Sequence, residues 1–108
     1  MESKAGTVAN EKPRFHLVRS LCEVVTVTPE MAERWLSNNP LNRQIRAEHV
    51  EELAERIRRG EWKPNPPVEV FDTGRLWNGQ HRLSAIVRTG CTVQMKVLVW
   101  KKVPVEST

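Results

Sequence analysis

Tyrosine is absent from this 108-residue chain, aspartate occurs once, at Asp72, and there are only two cysteines. Cys22 and Cys91 stand far apart with no second cysteine near either, which excludes both a Cys-rich metal ribbon and a dense disulfide framework. They read instead as reduced, partly buried thiols of a cytosolic protein. His16, His49 and His81 are equally scattered and form no metal-ligand spacing, so no metal site is expected from protein ligands. Long apolar runs are missing too. The longest, Val97-Leu98-Val99-Trp100, is the size of a strand and far short of the roughly 20 residues of a membrane span. Met1 to Pro13 is polar and carries no signal-peptide core, so a cytoplasmic location with no membrane partner is expected.

What is abundant is arginine. The formal net charge is +4, and seventeen basic residues face thirteen acidic ones. Most of the basic set is arginine, whose planar fork matches phosphate oxygens. The balance favours anionic partners such as phosphates, nucleotides or nucleic acid. At this length one domain with one core is the ceiling.

The order of elements follows from the punctuation. Residues 1–14 read as a flexible arm, 15–103 as a single domain and 104–108 as a loose tail. Glu23-Val24-Val25-Thr26-Val27 is β-branched and predicts a strand. Thr28-Pro29 is an N-cap followed by proline at the first helical position, and it opens a helix to about Ser37. A second helix is predicted from Ala47 to Arg59, with Val50, Leu53, Ala54 and Ile57 as its buried stripe and Gly60 as its stop. Val68–Phe71 and Arg75–Trp77, joined by Asp72-Thr73-Gly74, predict a hairpin. A third helix, capped by Asn78, runs to Thr89, and a final strand alternates from Thr92 to Trp100. The expected class is α+β: a small mixed sheet packed against three helices.

One segment carries chemistry. In Gly74-Arg75-Leu76-Trp77-Asn78-Gly79-Gln80-His81-Arg82-Leu83 a strand runs straight into a helix. The first turn of a helix has unpaired N–H groups and a partial positive charge, which suits an anion. Gly79 would let a phosphate approach the backbone, while His81 and Arg82 add donors beside it. Plain turn chemistry with solvated side chains accounts for the same residues, and the segment alone leaves both readings standing.

Gly79-Gln80-His81-Arg82-Leu83, followed by Ser84-Ala85-Ile86, resembles the signature turn of the ParB/sulfiredoxin superfamily. It is most similar to a bacterial and phage group carrying Asp-Gly-Gln-His-Arg-Leu, with Asn78 here in place of the aspartate. Thr28-Pro29-Glu30, Asn42-Arg43 and Gly60-Glu61-Trp62 fit the resemblance, which spans about Val24 to Trp100. It implies a ParB/sulfiredoxin-like fold that binds a nucleoside triphosphate, ATP or CTP, with magnesium. The binding set it implies is Arg43, Asn78, Gly79, Gln80, His81 and Arg82. Gln80 stands where sulfiredoxins have their cysteine, which removes that nucleophile. Weak NTPase or phosphotransferase activity is open, with His81 as the candidate acid or base and hydrogen bonding to phosphate as its preferred role. The acids available to magnesium are Asp72, Glu30, Glu61 and Glu69, none tied to the turn by sequence.

Other features carry plainer expectations. Trp35 reads as core, Trp62 as packing or as the wall of a base pocket, and Trp77 as facing away from Leu76. Arg56, Arg58, Arg59 and Lys63 read first as a solvated helix end and second as a nucleic-acid patch. The alternatives to nucleotide binding are a non-specific DNA-binding or nuclease-like module, without a recognition helix, and a phage-type protein that binds a host protein. A homodimer through an exposed strand edge is also open.

Overall fold

The computed structural model describes residues 15–39 and 44–104. Within them the order is β1 (Phe15–Val27), α1 (Pro29–Ser37), α2 (Ala47–Arg58), β2 (Val68–Phe71), β3 (Leu76–Asn78), α3 (Gln80–Thr89) and β4 (Val93–Pro104). The four strands form one mixed sheet in the order β1-β4-β2-β3. β4 pairs antiparallel with β1 and parallel with β2, and β3 folds back antiparallel on β2. The class is the α+β arrangement expected: a four-stranded mixed sheet with three helices. None of the described helices is long and apolar enough to cross a membrane.

Each helix begins and ends for a local reason. The Thr28 hydroxyl accepts the Met31 N–H at 3.2 Å, and Pro29 sits where its missing N–H costs nothing. α1 stops at Asn38, whose N–H donates to the Trp35 carbonyl. α2 has no side-chain cap; Glu48 in its first turn and Arg56 and Arg58 in its last suit the helix dipole instead. α3 closes on Gly90, which is left-handed and donates to the Ile86 and Val87 carbonyls.

The helices cover one face of the sheet. Val27, Val68, Val70, Leu76, Met95 and Val97 point from the strands into a core completed by Ala32, Leu83 and Ile86. A smaller cluster of Val50, Leu53, Ala54 and Ala85 seals α2 to α3. Arg88 of α3 reaches Glu51 of α2 at 2.7 Å, and Arg58 bridges Glu51 and Glu55 at 3.0 Å. Arg58 and Arg59 thus sit in ion pairs on a solvated helix end, as their positions at the end of α2 suggest. Trp35 packs against the core, also as expected.

The strands differ most from expectation. β1 starts at Phe15 rather than Glu23, and β4 continues to Pro104 rather than stopping at Trp100. Together they form a two-stranded ribbon that outruns the helices, with a bulge at Ser20. Phe15, Leu17, Val18, Leu21 and Val24 are all exposed on it.

Candidate functional site

A cavity of about 930 Å³ opens where β3 runs into α3, within the usual size range of small-ligand sites. Its floor is the turn Leu76 to Arg82. One wall is α2, through His49, Leu53 and Arg56, and the opposite lip is the loop Glu61 to Pro67. The turn singled out by sequence therefore does line a cavity. By helix geometry the N–H groups of Gln80, His81 and Arg82 have no partner within α3, whose first internal bond runs from the Leu83 N–H to the Gly79 carbonyl.

The individual residues of the turn are employed differently from the sequence expectation. Gly79, not Asn78, is the N-cap of α3, and no side chain caps that helix. Asn78 instead donates from Nδ2 to Glu69 at 3.2 Å. Gly79 has φ +112°, and a Cβ there would lie 2.7 Å from Cγ2 of Val68. Contact with β2 is thus a sufficient reason for glycine, apart from any phosphate. Gln80 is 7% exposed; its carbonyl accepts from Asn39 at 2.9 Å and its amide donates to the Gln44 carbonyl at 3.5 Å. It pins the two segments that lead out of α1 and into α2.

His81 accepts the Arg46 N–H on Nε2 at 3.0 Å, so the ring proton sits on Nδ1. Its ring meets that of His49 edge-on, with centroids 4.8 Å apart. Burial first, then His49 and Arg46, hold the His81 imidazole below its ordinary range, so it is neutral at neutral pH.

Arg82 is the most constrained residue of the site, at 8% exposure. Nη1 donates to the Pro66 carbonyl, Nη2 to the Lys63 carbonyl, and the guanidinium lies 4.1 Å from the centroid of the Trp62 ring. Trp62 is fixed in turn by its Nε1, which donates to the Gln94 carbonyl at 3.0 Å. Nε of Arg82 is buried without a partner. Burial, with Arg56 second, brings this guanidinium down to about 10, still protonated at neutral pH. In this structure Arg82 holds the lip of the cavity, and Nε is its one buried nitrogen without a partner.

Arg43 lies outside the described residues. Of the acids considered for magnesium, only Glu61 lines the cavity. Glu69 faces the other side of the sheet, Glu30 lies on α1 and Asp72 in the β2–β3 turn. Among the described residues no group of three His, Cys, Asp or Glu side chains could hold a metal.

Sequence reasoning passed over His49 and read Arg56 and Lys63 as a solvated helix end or nucleic-acid patch rather than as part of this site. Their signal was present: His49, Leu53 and Arg56 fall at i, i+4, i+7, a stripe of α2 beside its core stripe. Comparison with family models, with curated proteins and with solved structures gives no match.

Proposed function

We propose that the cavity at the head of α3 binds the phosphates of a nucleotide. The observation that carries this reading is an imbalance of charge in one enclosed place. Arg56, Lys63 and Arg82 line the cavity with His49 and His81, against Glu61 alone. Like charges there disfavour one another: beyond the larger effect of burial, Arg56 lowers Arg82, and His49 lowers His81. A phosphate would relieve that repulsion and accept the N–H groups of the first α3 turn. The resemblance of the turn to ParB/sulfiredoxin-like sequences favours a nucleoside triphosphate, ATP or CTP, as the ligand.

Roles within this reading follow the geometry. Arg56 and Lys63 supply charge to the phosphates, and Arg82 and Gln80 hold the walls in place. His81 could donate only from Nδ1, because Nε2 is engaged. Magnesium fits as a companion of the phosphates, held by them with Glu61, since the described residues offer no cage of their own. Its chemistry there would be charge neutralisation. Trp62 is available as a wall for the base.

The test is calorimetric titration with ATP, CTP, GTP and ADP, each with and without magnesium. Saturable binding is expected for at least one triphosphate. The Arg56→Ala/Lys63→Ala double variant should weaken it by about tenfold or more, as charge-assisted hydrogen bonds contribute about 1.5–3 kcal/mol each. Absence of heat with every nucleotide would overturn the proposal. Arg82→Ala alone is a poor test, because it also releases the lip.

A further inference from the structure

The sheet has a second face that the helices leave uncovered, and its side chains follow from the register. Trp100 lies between Arg19 on β1 and Phe71 on β2, and Trp77 on β3 stacks on Phe71. One row across all four strands therefore reads Arg19, Trp100, Phe71, Trp77. Phe71 and Trp77 are parallel within 5°, centroids 5.0 Å apart, and Trp100 tilts toward Trp77 at 6.0 Å. All three rings are half-buried. On one side of the row stands the pair Leu17–Lys102, whose Nζ lies 5.8 Å from the Phe71 centroid and 5.9 Å from that of Phe15. On the other side come Cys22–Leu98–Glu69 and then Val24–Lys96.

The charge of this face has one sign. Glu69 is its only carboxylate among the described strand residues, and it is already engaged by Trp100 Nε1 at 2.9 Å and Asn78 Nδ2 at 3.2 Å. Arg19, Lys96 and Lys102 have no acidic partner among the described residues on that face. Aromatic rings in a row with cations on both sides are the arrangement that stacks bases and neutralises the phosphates between them.

We propose that the helix-free face of the sheet binds a single strand of nucleic acid, with bases against Trp77, Phe71 and Trp100 and phosphates on Arg19, Lys96 and Lys102. A second copy of the chain is the less suitable occupant. A two-fold contact of this face with itself would set a basic surface against another, with no free acid among the described residues of the face to answer it. Duplex nucleic acid keeps its bases stacked inside and leaves the rings unused. The proposal does not rest on the reading of the cavity, with whose lining it shares Trp77 alone.

The test is fluorescence anisotropy with a labelled oligothymidylate of about 20 nucleotides, long enough for one such platform. Binding with tryptophan quenching is expected, together with a log–log salt slope near −2, at about 0.7 per phosphate neutralised. A duplex of equal length should bind at least about tenfold more weakly, as should the Trp77→Leu variant, since stacking contributes about 1–3 kcal/mol per base. The Arg19→Glu/Lys102→Glu variant, both changes being on the exposed ribbon, should lose at least about tenfold and flatten the salt slope. Unchanged affinity in that variant, equal binding of the duplex, or equal competition by inorganic polyphosphate would overturn the proposal. So would sedimentation as a dimer that shields residues 17–24 before any oligonucleotide is added. Mononucleotide titration is read separately, so failure of either proposal leaves the other intact.

Discussion

Gly79 and His81 show how much a single side chain decides at this turn. At φ +112°, and with Val68 Cγ2 2.7 Å from any added Cβ, Gly79→Ala combines backbone strain with overpacking. A loss on the order of 3 kcal/mol is expected in urea unfolding, with little change in the slope of the transition. His81 gives a pH dependence of known sign. Its folded value is held below the unfolded one, so the unfolded chain binds more protons between the two. The stability it contributes is complete above the ordinary histidine range and is lost as pH falls below about 6.5 toward the lowered folded value. The groups facing it are His49 and Arg46, both of which add to the repulsion. Thermal unfolding followed from pH 8 to pH 5 should show a fall that His81→Gln reduces. An equal fall in the variant would assign the titration elsewhere.

Among elements, the loop from Glu61 to Pro67 depends on a side chain that is not its own. Arg82 ties its Lys63 and Pro66 carbonyls, and Trp62 lies beneath the guanidinium. Hydrogen exchange of the Arg82→Met variant should show the loop amides losing protection while β2 and β4 retain theirs. Arg82→Lys should not restore it, since an ammonium lacks the fork that spans two carbonyls. The elements also show what was legible in advance. The three helices announced themselves through Thr28-Pro29, the Val50–Ile57 stripe and Gly90, because each signal is local. Leu76 and Trp77 separate to opposite faces as alternation requires. Residues 15–22 gave no such signal. Apolar side chains stand on both faces of the ribbon there, so the alternation that marks a half-buried strand is absent. That the turn lines a cavity accords with its reading in the sequence, but the contacts of its individual side chains were not legible there. Whether Arg82 meets a ligand or two carbonyls depends on a loop fifteen to twenty residues away.

At the scale of the whole molecule, stability is unevenly distributed along β4. Val93 to Val97 lies in the core with Val25 and Val27 opposite and Val97 to Trp100 is flanked by β1 and β2, whereas Lys101 to Pro104 pairs with the exposed end of β1 alone. Amide exchange should therefore be slowest near Met95 and Val97 and accelerate steadily toward Lys102, with β1 following the same gradient. Uniform protection along the ribbon would mean that something covers it in solution.

Phe15 and Pro104 are register partners at the tip of that ribbon. Antiparallel partners lie about 5 Å apart, so the described chain returns almost to its starting point. A peptide of a few residues could join Pro104 directly to Phe15, and new ends could be cut in the Asp72–Arg75 turn without severing a strand or helix. Such a circular permutant would keep every strand pair and the cavity at α3. For the same reason, a label or domain fused directly at Phe15 or at Pro104 departs from one place, at the far end of the ribbon from the core.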